Sequence, residues 1–458
     1  MIHEGTIGVF PLFYSRYMLN RYIFCFFDLN KYAHYSPQNK RKNHYFLSVN
    51  SSFNFPMWQQ LLQPDIQAFI QQHQREQVSL LALQQPPDKS WPWALILDQI
   101  KSRQKALQKI PQWLAHHPQL LFPKAGVLEQ ASSAATAAYK AGLVHGSTMV
   151  DLCAGAGVDA WAFSRHFSQT TCVEQDPHTA ELLAHNLSLL CSRPVQVVCM
   201  AAEEYVQQHL QQAELVYLDP QRRNAHRKGL YRLADTSPNI HTLMPILSRK
   251  AHKIMLKASP MLDISLGIKE LKCVEAVQVV AYRGECKELL FILNPHTPPL
   301  AQEQVPITAV PLSETGQPQN RFEFTRAEEQ AAEVAFSAPR TYLFDPGPAL
   351  AKAGAFGLLA ARYGLYKLHP STHLYTSDQP CPDFPGRRFR ITGLTKVDKA
   401  AVKGEAANLS LKNFPGKVSE LKKQLGLRDG GSLYLFACTI QDGKKKARRV
   451  LIHAQKAD

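Results

Sequence analysis

Between Thr148 and Leu293 the chain repeats one unit, a short apolar run followed by a helix-patterned stretch. The runs are Thr148 to Cys153, Thr171 to Val173, Val195 to Met200, Leu215 to Leu218, Ile254 to Leu256, Val274 to Ala281 and Leu289 to Leu293, and a helical stretch from Ala131 to Lys140 leads into them. Strands separated by helices cannot pair as hairpins, so they pair in parallel and the helices cover the sheet faces. The expected fold is therefore α/β, a doubly wound, Rossmann-like sheet. Its last two runs, separated only by Tyr282 to Glu288, predict an antiparallel pair at one edge.

Composition shifts on either side of this body. Residues 1–56 show poor periodicity and many Tyr, Phe and Asn, so Met57 is expected to be the working start and the preceding segment a non-native or disordered extension. Residues 57–120 read as a helical N-terminal domain, with Leu61, Ile66, Phe69 and Ile70 at helical spacing and breaks at Pro86-Pro87 and Trp91-Pro92-Trp93. The α/β body spans 121–295, and the Pro-, Gln- and Glu-rich stretch 296–340 reads as a linker or excursion. Two small α/β units are expected over 341–383 and 384–458.

Charge separates these parts. The chain carries +15, from 52 Lys and Arg against 37 Asp and Glu. Residues 383–458 hold 17 basic and 7 acidic side chains, residues 1–56 hold 6 and 2, and the remainder is almost neutral. A basic C-terminal module on a neutral body predicts a polyanion-binding surface, against the plainer alternative of a solvated Lys-rich tail. The 9 cysteines form no C-x-x-C or zinc spacing and read as reduced thiols in a cytoplasm. The aromatic stretch Phe10 to Phe27 is interrupted by Arg16 and Arg21, so no membrane segment is expected.

The sharpest site signal is Val150-Asp151-Leu152-Cys153-Ala154-Gly155-Ala156-Gly157-Val158-Asp159, a strand entering a glycine loop that opens a helix. Glycines there let a ligand approach the backbone. The spacing Gly155-x-Gly157-x-x-Ala160 also fits a dinucleotide loop. Asp151 favours a different ligand, because a carboxylate at the strand tip repels a pyrophosphate and attracts an ammonium. S-adenosylmethionine carries both an ammonium and a sulfonium. Glu174 is placed to accept from ribose hydroxyls, with Asp176 as its neighbour, and Glu203 sits where an adenine-facing side chain would come. Asp151, Ala154, Gly155, Gly157, Glu174 and Glu203 are therefore the expected cofactor residues. Their order and spacing resemble the class I methyltransferase fold, with Cys153 where that fold most often has glycine.

The fourth run ends in Asp219-Pro220-Gln221-Arg222-Arg223. In amino-group methyltransferases an acidic or amide residue followed by proline faces the methyl donor, and a side-chain oxygen plus a backbone carbonyl orient an amine for attack without prior deprotonation. Those enzymes then place an aromatic residue, where this chain has Gln221, Arg222 and Arg223. Asp219, Pro220, Arg222 and Arg223 are the expected acceptor-side residues, the arginines stacking on a base or gripping a phosphate. Lys228, Arg232 and Asp235 extend the polar loop, and Lys257-Ala258-Ser259-Pro260 closes the fifth run beside it. Cys286 beside Lys287 invites a thiolate reading, but its place between the last two runs puts it away from the expected ligand edge and favours a packed cysteine. His369 and His373 have Pro370 between them and no further ligands beyond the distant Cys381, so no metal is expected.

Further matches carry a family resemblance. Glu129-Gln130 with Ser132-Ser133, the Asp151 loop, Asp219-Pro220-x-Arg222-Arg223, Lys257 to Asp263, Glu285-Cys286-Lys287-Glu288, Lys352-Ala353-Gly354-Ala355-Phe356, His373 to Ser377, Phe384-Pro385-Gly386-Arg387 and Asn413-Phe414-Pro415 occur in one order. Together they resemble a bacterial methyltransferase family that joins a class I catalytic domain to a ferredoxin-like domain and a C-terminal THUMP-like domain. The resemblance covers most of the chain after Met57, departing at Gln221 and at Asp345-Pro346-Gly347. It implies S-adenosylmethionine as cofactor and RNA, with transfer RNA as one candidate, as partner of the basic module. Arg387, Arg388, Arg390, Lys412, Lys417, Lys422, Lys423, Lys444, Lys445, Lys446, Arg448 and Arg449 supply that module's charge. Two other readings stay open: an RNA-binding protein that keeps the fold as a scaffold, and a small-molecule or protein methyltransferase whose basic tail only localises it.

Overall fold

A computed structural model of the chain describes residues 57–222, 232–402, 404–442 and 446–457. The expectations for residues 1–56, Arg223, Lys228, Lys444 and Lys445 lie outside these. From Met57 the chain folds into helices α1 (Pro64–His73), α2 (Val78–Leu81), α3 (Trp93–Lys109), α4 (Pro111–His116), α5 (Ala125–Gln130) and α6 (Ala134–Ala141). Pro64 and Pro111 occupy the first helical position, where a missing N–H is no loss. Ile96 and Ile100 of α3 pack with Ile66 and Ile70 of α1 in a small core that also takes in Leu182 of the following domain. Polar bonds fix that docking. Trp58 Nε1 donates to Glu181 at 2.6 Å, and Asn186 accepts from Leu121 N–H at 3.1 Å while donating to its carbonyl.

The body is a nine-stranded sheet. Its strands are β1 (Gly146–Asp151), β2 (Phe167–Glu174), β3 (Val195–Cys199), β4 (Ala213–Leu218), β7 (Ala251–Ala258), β8 (Val274–Tyr282), β9 (Glu285–Leu293), β10 (Ile307–Leu312) and β11 (Phe322–Phe324), while β5 (Gln221–Arg222) and β6 (Thr236–Ser237) form a separate short pair. The order is β11-β10-β8-β9-β7-β4-β1-β2-β3. Helices α7 (Val158–Phe163), α8 (Pro177–Leu190), α9 (Ala202–Gln208), α10 (Ile240–Lys250) and α11 (Ile264–Leu271) connect the strands. From β3 to β7 the pairing is parallel, and the chain reverses direction across the sheet between β1 and β4. A crevice opens at the carboxyl ends of those two strands, the usual ligand position in such sheets.

Two expectations are corrected. β8 and β9 are antiparallel, but they are not an edge, because β10 pairs in parallel with β8 and β11 follows it. The stretch 296–340 is thus no simple linker. Its Pro and Gln content conceals Ile307, Ala309 and Val310, each fully buried, before helix α12 (Arg326–Ala331).

The two expected C-terminal units lie side by side in one seven-stranded sheet. Its strands are β12 (Tyr342–Pro346), β13 (Tyr366–His369), β14 (Thr372–Ser377), β15 (Gly386–Thr395), β16 (Ala406–Lys412), β17 (Arg428–Asp442) and β18 (Lys446–Lys456), with helices α13 (Pro348–Ala353), α14 (Phe356–Arg362) and α15 (Val418–Leu425). The order is β13-β14-β12-β15-β18-β17-β16, joined across the two units by antiparallel pairing of β12 with β15. Asp345 fastens that seam: its buried carboxylate accepts from Arg387 Nη2 at 2.5 Å and Lys412 Nζ at 2.6 Å.

Candidate functional site

The glycine loop turns through left-handed backbone at both of its glycines. Gly155 and Gly157 have φ of +51° and +80°, and a Cβ on Gly157 would lie 2.4 Å from Leu183 Cδ1, so only glycine fits the second position. Four of the loop amides, those of Cys153, Ala154, Gly155 and Gly157, are already engaged. Cys153 N–H donates to Asp151 Oδ1 at 3.0 Å and Gly155 N–H to Glu174 Oε2 at 2.9 Å, while Ala154 and Gly157 donate to the carbonyls of Val173 and Ala154. A pyrophosphate-binding loop needs such amides free. Here carboxylates and carbonyls hold them.

The crevice has two adjoining lobes. One, of about 340 Å³, is bounded by the loop, Asp151, Asp159, Asp219, Pro220, Lys257 and Lys287. The other, of about 60 Å³, is bounded by Glu174, Met200, Glu203, Gln221 and Pro238, and shares Cys153 and Gly155 with the first. Asp151, Ala154, Gly155, Gly157, Glu174, Glu203, Asp219 and Pro220 are thus brought together around one groove. Asp151 is 1% exposed, and burial pushes its carboxyl well above the usual carboxylate range, an effect a bound cation would reverse. Asp176 instead caps α8, accepting from Thr179 N–H and Oγ1. Arg222 has its backbone in β5 beside the groove, and Arg232 is exposed.

Sequence reasoning missed the charged cluster under the acceptor side. Lys257 Nζ donates to Asp219 Oδ2 at 2.5 Å and to Ser132 Oγ at 3.3 Å. The same Ser132 Oγ accepts from Lys140 Nζ at 2.8 Å and donates to Asp159 Oδ2 at 2.8 Å. Lys140, fully buried, pairs with both oxygens of Glu288 and lies 3.2 Å from Asp159 Oδ1, and Tyr217 OH donates to Asp159 Oδ2 at 2.7 Å. Burial opposes the charge on Lys257, but Asp219, Asp159 and Glu288 outweigh it and hold the ammonium protonated. The available signal was a lone charge in an apolar run: Lys140 in an alanine-rich helix, and Glu288 just before Leu289-Leu290-Phe291.

That cluster corrects the placement of Glu285 to Glu288. Because β9 runs antiparallel to β7, its first residues lie at the carboxyl end of β7, where Leu289 pairs with Ala258, and Lys287 lines the crevice. The segment is at the ligand edge, not away from it. Cys286 is nonetheless a packed thiol, pushed up to about 11 by burial.

A second cleft, of about 750 Å³, lies between β15, β18 and α15 and is bounded by Lys396, Phe414, Lys417, Arg448 and Arg449. The Arg449 guanidinium lies 5.9 Å from the Phe414 ring centre. Three charges of the basic module are paired within the chain: Arg387 and Lys412 neutralise Asp345, and Lys422 pairs with Asp429. His373 stacks on Phe356 and is lowered to about 4 by burial and by Lys367 and Lys412. Among the described residues no cluster of metal-ligating side chains occurs, and no helix is long and apolar enough to cross a membrane.

Comparison with known proteins places these parts. Residues 128–237 match the family model described as conserved hypothetical protein 95, residues 342–385 a ferredoxin-like domain, and residues 386–456 a THUMP domain-like model. A crystal structure described as a "putative methyltransferase from Porphyromonas gingivalis W83" is 31% identical, with a TM-score of 0.76 over 86% of this chain and 98% of that one. The Escherichia coli methyltransferase YhhF, described in the same terms, is 16% identical over 32% of this chain and 75% of its own, with a TM-score of 0.24, too slight a likeness to inform fold or function. No curated protein matches the chain.

Proposed function

Because the chain belongs to the bacterial class I methyltransferase family with ferredoxin-like and THUMP-like C-terminal domains, we propose that it is an S-adenosylmethionine-dependent enzyme that methylates a base nitrogen of structured RNA, with transfer RNA the first substrate to try. The observation that carries the reading is the chemistry of the loop. Two of its amides are held by the carboxylates of Asp151 and Glu174, and five carboxylates against two lysines line the walls, so the crevice suits a cation and disfavours a phosphate.

When bound, S-adenosylmethionine would supply an electrophilic methyl group on a sulfonium. Asp151 would hold the ammonium, Glu174 the ribose hydroxyls, and Glu203 the adenine end, while Ala154, Gly155 and Gly157 keep the groove wall free of bulky side chains. Asp219 and the Pro220 carbonyl would orient the acceptor nitrogen, a contribution of proximity and electrostatics. Arg222 and Arg223 would hold the RNA near the acceptor. The cleft around Phe414, Arg448 and Arg449 would grip the RNA backbone, making binding salt-sensitive and shape-dependent.

Transfer of a tritiated methyl group to total RNA tests this. Wild type labels a discrete RNA species and Asp219→Ala does not. Labelling of protein or small molecules instead of RNA would overturn the substrate.

A further inference from the structure

The acceptor side of the crevice pairs a base with a cation. Asp219 and Lys257 both line it, 2.5 Å apart, on the ends of neighbouring strands. The Asp219 side chain is 31% exposed and has a second carboxylate oxygen, Oδ1. Lys257 uses one N–H on Asp219 and one on Ser132, and its third has no partner among the described residues. Ser132, which Lys140 and Asp159 hold in turn, anchors the ammonium, and the nearby carboxylates of Asp159 and Glu288 favour its charge.

Such a pair helps one kind of nitrogen and hinders another. An exocyclic amine is methylated through its lone pair and gains positive charge. An ammonium donating to the adjacent ring nitrogen or oxygen draws that lone pair into the ring and weakens the attack. A lactam, a ring N–H beside C=O, behaves in the opposite way. Losing its proton puts negative charge on the oxygen, which an ammonium stabilises, while a carboxylate takes the proton.

From this arrangement we infer that the acceptor is a lactam edge, the N1–H and O6 of guanine or the N3–H and carbonyl of uracil, with Asp219 as general base and Lys257 as the donor to the carbonyl oxygen. The inference rests on the methyltransferase reading above and narrows it. The proton leaves the ring nitrogen for Asp219 Oδ1. The nitrogen, keeping the electron pair of that N–H bond, takes the methyl carbon, and the pair from the broken C–S bond stays on sulfur as a neutral thioether. Asp219 then returns its proton to water, and Lys257 stays an ammonium throughout.

Digestion of the labelled RNA to nucleosides tests this. N1-methylguanosine or N3-methyluridine is the expected product. N6-methyladenosine, N4-methylcytidine or N2-methylguanosine would overturn the lactam assignment while leaving the methyltransferase reading intact, and absence of any RNA label would remove both. Asp219→Asn supplies a second discriminator, since an amide still orients an amine but cannot accept a proton. The variant should lose about 100-fold or more in rate at neutral pH and recover as pH rises and the lactam ionises unaided. Its affinity for S-adenosylhomocysteine by calorimetry should match wild type, showing an intact crevice. A rate within tenfold of wild type, with no gain at higher pH, would overturn the assignment.

Discussion

At the tip of β1, Asp151 keeps a nearly inaccessible carboxyl whose one hydrogen-bond partner among the described residues is the Cys153 N–H, an arrangement that weakens the ligand-free fold whenever the group is ionised. Its folded pKa lies above the unfolded value of about 3.9. Just above that value the unfolded chain has released a proton that the folded chain still holds, so stability falls as pH climbs towards the raised folded pKa. Thermal melts of the ligand-free protein should therefore show Asp151→Asn at least as stable as wild type at neutral pH, with less loss on going from pH 5 to pH 8. S-adenosylhomocysteine at 100 times its Kd should stabilise wild type by about 2.7 kcal/mol and the variant hardly at all. A variant that melts far below wild type would show that Asp151 supports the fold instead of the ligand. This residue was legible in the sequence because its signal is local, a charge one step before a glycine loop. Lys257 was seen only as a neighbour, since its bond to Asp219 joins two strands 38 residues apart.

Elements meet at the site through contacts of two kinds. Gly157 is the N-cap of helix α7, and Gly157→Ala would force a left-handed conformation on a residue with a Cβ and press it onto Leu183 of α8. Chemical denaturation should show a loss of roughly 1–3 kcal/mol from the backbone alone, with the contact adding to it. α6 is tied to β9 by Lys140 and Glu288, residues 148 apart. Lys140→Met leaves Glu288 and Asp159 buried without their cation, and should cost about 3–5 kcal/mol by the same measurement; a loss below 1 kcal/mol would show that the cluster carries little. No spacing rule reaches across 148 residues, so the partners became visible only once β9 was seen to run back along β7. The strands β10 and β11 were hidden for a related reason. Proline and glutamine dominate the stretch around them, and Ile307 to Leu312 is one short run with Pro311 inside it, a residue that argues against a strand.

Across the whole molecule, the proposed function assigns methyl transfer to a nearly neutral sheet and RNA binding to a basic C-terminal one. Binding of substrate RNA, measured by filter retention, should weaken by roughly a thousandfold between 50 and 200 mM salt if about six phosphates are contacted. Arg449→Glu in the Phe414 cleft should reduce both the affinity and that slope, whereas a change in Arg387 or Lys412 should act on stability through Asp345. The bulk charge of the C-terminal module was legible by counting. Its division into cleft-lining and Asp345-facing groups was not, because that depends on which strand each side chain sits beside. The most direct test of the central claim, that an acid-lined crevice with occupied loop amides takes a cationic methyl donor, is a calorimetric titration of the full chain with S-adenosylmethionine and, separately, with a nicotinamide dinucleotide. Micromolar binding of S-adenosylmethionine, lost in Asp151→Asn, with no heat from the dinucleotide, is the expected result; binding of the dinucleotide, or indifference of S-adenosylmethionine affinity to Asp151→Asn, would contradict it.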